Sequence, residues 1–206
     1  MEEPKPLIFI SYSRCDRKWL EFVQSHLQVA VANGHFETWD DGRIAGGADW
    51  RKEIDDALSE CAVFVLLVSR HSLVSDFILK TEVQAALEAH RQRGTRIYPI
   101  IVEACDFQAV PWLAAIGIRP RDARPLESFP PHQRNEVMAS IAAEIRSLVM
   151  DQNAASADAL ALAPGDALAP AFGDALATQT SNVRGDGNIV VQIGGSGNTL
   201  SINGRK

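Results

Sequence analysis

One unbroken apolar run, Ala62-Val-Phe-Val-Leu-Leu-Val-Ser69, constrains this chain more than any other stretch. It is β-branched at Val63, Val65 and Val68 and stops at a serine. A run of that length and type reads as a strand covered on both faces, as in the middle of a parallel sheet. The residues after it read as a loop and then a helix. Ser75 or Asp76 can cap that helix, and Phe77, Ile78, Val83, Ala86 and Leu87 keep a helical period. In open α/β sheets ligands gather where strands end and helices begin. Glu82 is the carboxylate this unit carries towards that edge.

The neighbouring segments repeat the alternation. Leu7-Ile-Phe-Ile10 predicts a short buried strand that ends in Ser11-Tyr-Ser-Arg14, and Asp16 is placed to cap a helix with Trp19, Leu20, Val23, Leu27 and Ala30 on one face. Asn33-Gly34 stops it, and His35-Phe-Glu-Thr-Trp39 predicts a second strand. A glycine-rich loop, 40–47, leads to Asp49 as cap of a helix with Ile54 and Leu58 facing inward. Arg96–Val102 predicts a fourth strand, with Pro99 where no N–H is needed. A fifth is expected near Ile116–Ile118 or Arg124–Leu126, and a last helix after Pro130-Pro131 carries Val137, Ile141, Ile145 and Leu148 on one stripe. Strands alternating with helices predict a parallel sheet with helices on both faces.

Composition narrows the function. A formal net charge of -6 over 206 residues argues against a general nucleic-acid binder, which needs a basic face. No apolar run approaches the roughly 20 residues of a membrane span. Met1-Glu-Glu-Pro-Lys-Pro lacks the basic and then apolar regions of a signal peptide, so the expected location is cytoplasmic, with no membrane partner. Cys15, Cys61 and Cys105 have no paired spacing and are expected as free thiols, buried as apolar fillers. The histidines, at 26, 35, 71, 90 and 132, show no ligand spacing, so no metal is expected. A phospho-acceptor receiver would want acidic residues where the first and third strands end, and those ends are Ser11 and Ser69.

The globular domain is expected to span 5–149. Residues 150–181 are a low-complexity linker in which Asp-Ala-Leu-Ala recurs from 158, 166 and 174 between prolines and glycines. Residues 182–203 form a β-prone two-fold repeat, in which Gly185, Gly187 and Asn188 match Gly195, Gly197 and Asn198. Ile189, Val191 and Ile193 alternate there with Val190 and Gln192. Two short strands cannot bury a face alone, so other copies of the chain would supply the missing rungs. The opposing reading is a tail that docks on its own domain.

Taken together, Phe9-Ile-Ser-Tyr-Ser13, Trp39-Asp-Asp41 with Arg43-Ile44, Gly46-Gly47 and Trp50, and Val65-Leu-Leu-Val-Ser69 with Ser75-Asp-Phe-Ile78 and Glu82 resemble a TIR domain of the bacterial type. Val191-Gln-Ile-Gly194 resembles the core of amyloid-type signalling motifs. The first resemblance implies a flavodoxin-like sheet of five parallel strands. It also implies cleavage of the nicotinamide–ribose bond of NAD+ by many family members, through a glutamate matched here by Glu82. Loss of nicotinamide leaves an oxocarbenium-like ribosyl centre that a fixed carboxylate stabilises. NAD+ is then the substrate, and no cofactor is implied. Ser13, Arg14, Arg43 and Ala45 match positions that contact NAD+ in relatives, and the two arginines could neutralise phosphates. Ile78 stands where some active relatives carry an aromatic residue, with Phe77 beside it. As an exposed helix glutamate, Glu82 is expected to add little to stability. Trp39 and Trp50 are expected to pack in the core or loop rather than face a ligand. Two function classes follow: an NAD+-consuming enzyme of a bacterial defence system, switched on by self-association through TIR–TIR contacts and the tail, and a non-catalytic adaptor whose TIR surface recruits other TIR domains; other TIR or amyloid-motif proteins are candidate partners of the chain.

Overall fold

The computed structural model describes residues 5–161, which form an α/β fold around a parallel sheet. The order of elements is β1 (Leu7–Ser11), α1 (Arg17–Ala32), β2 (Glu37–Trp39), α2 (Trp50–Glu60), β3 (Cys61–Val68), α3 (Val83–Arg93), β4 (Arg96–Ile101), α4 (Pro111–Ala114) and α5 (Pro131–Ala161). The strands lie in the order β2-β1-β3-β4. The organising run is β3, central and paired in parallel to β1 and to β4.

The alternation of β3 sorts the core into two layers. Val63, Val65 and Leu67 face the layer of α1 and α5, with Leu20, Val23, Leu27, Ile141 and Ile145. Phe64, Leu66 and Val68 face the layer of α2 and α3, with Ile54, Leu58, Ile78, Val83 and Ala86. Each side chain that is fully buried contributes roughly 1.5–3 kcal/mol, so a strand buried on both faces anchors both layers. Local signals bound α2 and α3. The Asp49 carboxylate accepts from Lys52 N–H at the start of α2, and Gly94 closes α3 at a φ of 75°, a left-handed position that favours glycine.

The expected fifth strand is reduced to a single bridge. Arg119 N–H donates to Pro99 O, and Arg119 O accepts from Ile101 N–H. Pro120 follows and has no N–H with which to extend the ladder, so among the described residues the sheet has four strands. Asp16 is also used differently. It stands at the N-cap position of α1, but its side chain makes no capping bond and is buried elsewhere, as described below. The cysteines are free, with Cys61 buried, Cys105 half-buried and Cys15, against expectation, exposed.

Helix α5 continues past Val149 to Ala161, with Gln152 tied to the carbonyl of Gly94. The rest of the linker and the two-fold repeat of 182–203 lie outside the described residues. Among the described residues no helix is long and apolar enough to cross a membrane.

Candidate active site

The strand order reverses its direction of winding between β1 and β3, and a crevice opens there at the C-terminal ends of the strands. Four segments wall it. They are the turn after β1 (Tyr12, Ser13, Arg14), the loop after β2 (Asp41, Ile44, Ala45, Gly47, Ala48), the start of α2 (Trp50, Ile54) and the β3–α3 connection (Ser75, Phe77, Ile78, Glu82). Its volume is about 810 Å³, within the range of sites that hold a cofactor-sized molecule.

The β3–α3 connection brings Glu82 into this wall by an unusual turn. Ser75 Oγ accepts from Ile78 N–H, and Ile78–Glu82 then forms a π-helical turn in which Val83 N–H bonds to Ile78 O. Such wide turns interrupt α-helices mostly at functional sites. Ile78 and Glu82 both line the crevice. The expectation of an exposed glutamate is overturned: Glu82 is 5% exposed. Ser11 Oγ donates to Glu82 Oε2 at 2.5 Å from the end of β1. Burial is the main cause that lifts the carboxyl from its ordinary 4.5 to about 7; the Ser11 hydrogen bond opposes the rise and the Asp41 charge adds to it. The group therefore exchanges its proton near neutrality.

Around it the surface is mixed. Tyr12 is buried, and its phenol is pushed up to about 12, first by burial and then by Asp41, so it stays a neutral hydroxyl. Asp41 Oδ1 is buried without a hydrogen-bond partner among the described residues. Arg14 stands at the mouth, 92% exposed along its side chain and 3.9 Å from Asp41 Oδ2. Trp50, 47% exposed, meets Phe77 at a centroid distance of 5.3 Å, so a tilted aromatic pair forms part of the wall.

Of the residues singled out in the sequence, Glu82, Ser13, Arg14 and Ala45 share this crevice. Arg43 does not line it. It sits, exposed, at the end of the short turn Asp41–Arg43, and among the described residues it forms no ion pair with Asp40 or Asp41. Trp39 stacks on Phe9, as a core-packing residue should. Trp50 instead faces the crevice, against expectation. Sequence reasoning also missed Ser11, Tyr12, Asp41 and Phe77 as site residues. A polar residue closing a buried strand at the winding reversal is the signal that could have found Ser11.

Comparison with known proteins follows the same segments. Uncharacterized protein y4lF of Sinorhizobium fredii (strain NBRC 101917 / NGR234) is 34% identical over 125 residues, which are 61% of this chain and 38% of that protein. This chain thus spans well under half of that relative's length. The TIR domains in the structure of the activated Roq1 resistosome directly recognizing the pathogen effector XopQ superpose with a TM-score of 0.40 at 16% identity, over 68% of this chain and 84% of that one. That superposition is too loose to compare residues. Residues 8–137, more than half of the chain, match the TIR domain family, and the chain belongs to it.

Proposed function

We propose that this TIR domain cleaves the nicotinamide–ribose bond of NAD+, with Glu82 as the catalytic carboxylate. The observation that carries the reading is a buried glutamate, ionising near neutrality, in the wall of a crevice large enough for a dinucleotide. The C–N bond breaks with its electron pair leaving on nicotinamide, which departs neutral and needs no general acid. The ribosyl cation that remains is stabilised by the carboxylate, worth far more in a desolvated wall than in water. Water, or a nucleophile of the same molecule, then bonds to the ribosyl carbon and loses a proton, which a group with a pKa near 7 is suited to accept. The product is ADP-ribose or a cyclic isomer.

Other walls fit parts of the substrate. The Asp41 carboxylate, in the crevice wall, suits a ribose hydroxyl as donor. Arg14 at the mouth suits a phosphate, and Trp50 with Phe77 offers an aromatic surface although Ile78 replaces the aromatic residue of some relatives. Ser13 and Ala45 join Arg14 as the expected NAD+ contacts that line the crevice, with Arg43 beside it.

Purified protein at high concentration, incubated with NAD+ and analysed for nicotinamide by chromatography, tests the reading. Release by wild type and its loss in Glu82→Gln supports it. No release at any concentration, with the fold intact, returns the domain to an adaptor role.

The tail fits self-association as the switch. If 182–203 stacks copies of the chain, the domains reach high local concentration, and cleavage rises more steeply than linearly with protein concentration. Truncation after Ala161 keeps the whole of α5 and should make the dependence linear. Equal steepness in the truncated protein assigns the switch to another surface or partner.

A further inference from the structure

A second cluster of ionisable side chains lies at the same edge of the sheet, in the layer of α1 and α5. Asp16, His71 and Glu103 bring one ligand atom each to within 4.8 Å of one another. They come from the turn before α1, the loop after β3 and the segment just after β4, which is why the spacing of the histidines in the sequence cannot show them. Asp16 is fully buried and Glu103 is 6% exposed. The Asp16 carboxylate accepts from Ser69 Oγ through Oδ2 at 2.5 Å, and its Oδ1 is buried with no partner among the described residues. Both hydrogen bonds described for Glu103, from Trp19 Nε1 and Lys18 Nζ, fall on Oε1. Arg70 donates to His71 Nε2 at 3.3 Å, so in the neutral ring Nε2 carries the lone pair; an ion takes that nitrogen in place of the exposed Arg70, or takes Nδ1 once the ring proton has moved to Nε2.

We propose that Asp16, His71 and Glu103 form a binding site for a divalent transition-metal ion. A buried carboxylate oxygen without a donor is costly, several kcal/mol where the whole charge is uncompensated, and a bound cation removes that cost. Two carboxylates with one imidazole are a donor set taken by zinc and manganese, three protein ligands leaving a position for water. In a tetrahedral site with ligands about 2.0–2.2 Å from zinc, the donor atoms stand about 3.3–3.6 Å apart, so a separation within 4.8 Å needs a closure of up to about 1.5 Å on binding. His71, half-buried on a loop, is the side chain able to make it. The cations already present leave room: Lys18, 67% exposed, reaches Glu103 from the surface at 2.9 Å, and Arg70 is exposed.

The test uses the full chain, stripped with EDTA and desalted, titrated with zinc chloride and with manganese chloride by calorimetry and by thermal melting at pH 7. One ion binds per chain, and at a hundredfold excess over Kd it raises Tm by about 5–10 °C. His71→Ala, which removes a ligand from a half-buried loop and leaves the core untouched, weakens binding about tenfold or more. Glu103→Gln does the same and serves where Asp16→Asn fails to fold. Absence of heat and of a melting shift at about 1 mM of either metal overturns the site. So does unchanged affinity in a folded His71→Ala, which places the ion on other residues.

Discussion

Strands β1 and β3 end in the same way and hold carboxylates of different character. Ser11, closing β1, donates 2.5 Å to Glu82, which belongs to the segment after β3. Ser69, just past β3, donates 2.5 Å to Asp16, which belongs to the segment after β1. Each strand end thus ties down the acid that follows the other, and the two bonds brace the winding reversal from opposite faces. The pairs differ in what lies beyond the serine. Glu82 opens onto the crevice of about 810 Å³, whereas Asp16 is covered by Glu103 and His71. The Ser11 hydroxyl makes one described bond, while the Ser69 hydroxyl also accepts from His71 N–H and Ser72 N–H. One pair opens onto a crevice large enough for a dinucleotide, while the other ties down the loop after β3 beside the proposed ion site.

The largest effect expected from breaking this symmetry is on chemistry. Glu82→Gln should lower NAD+ cleavage by about 10²–10³ at saturating substrate while the protein remains folded. Its effect on stability has the opposite sign. The folded pKa of Glu82, about 7, lies above the ordinary 4.5 of the unfolded chain, so the native state keeps a proton that the unfolded state gives up. Stability is therefore full below pH 4.5 and falls as pH rises towards 7, by up to about 3 kcal/mol for this group. Glutamine removes that slope. Melting curves of the variant and wild type should converge near pH 4.5 and separate above pH 7, with the variant the more stable. Wild-type cleavage should rise over the same interval, as the carboxylate forms. A wild type whose stability and activity are both flat between pH 5 and 8 breaks the assignment of Glu82 as a desolvated acid.

Part of this contrast could be read from the chain itself. The apolar runs of β1 and β3, the Asp49 cap and the Gly94 stop are local signals, and the structure uses each of them locally. Glu82 was found through its place after β3 and the resemblance to TIR domains, but its burial was not. That depends on a π-helical turn and on Ser11, a partner 71 positions away. Asp16 misled for the same reason. An aspartate before a helix is the usual cap, yet a buried serine 53 positions away outcompetes the helix N–H groups for it. The fifth strand was expected from apolar spacing, and Pro120 stopped it after one bridge. Pairings across the sheet edge leave no period in the sequence.

The second effect compares the serines directly. Ser69→Ala removes a donor from buried Asp16 and an acceptor from two backbone N–H groups, so it should cost about 2–3 kcal/mol, read as a lower denaturation midpoint with an unchanged slope. Ser11→Ala removes one bond and should cost about 1 kcal/mol. The losses in activity should rank the other way. Ser11→Ala withdraws the hydrogen bond that holds the Glu82 pKa down, so the rise of cleavage with pH should move to higher pH. Ser69→Ala should leave that profile in place. Equal shifts from both serines would mean that the two pairs form one coupled unit.

The smallest effect concerns Arg43, outside both pairs. The resemblance to TIR domains implied a phosphate contact for it, and the structure places it exposed, beside the crevice rather than in its wall. Arg14, on the turn after β1, is the arginine that reaches the mouth. With no ion pair to lose among the described residues, Arg43→Ala should change Tm by no more than a degree or two, since exposed sites of this kind fall within about 0.5 kcal/mol. Its effect on NAD+ turnover should appear in KM and be modest, a few-fold, fading as salt screens a cation outside the wall. Arg14→Ala should raise KM more, because a charge at the mouth lies closer to a bound phosphate. Titrating NAD+ against both variants at low and high salt separates the two. If Arg43→Ala proves the more damaging, the loop of 40–48 closes over the ligand on binding and carries Arg43 into the wall with it.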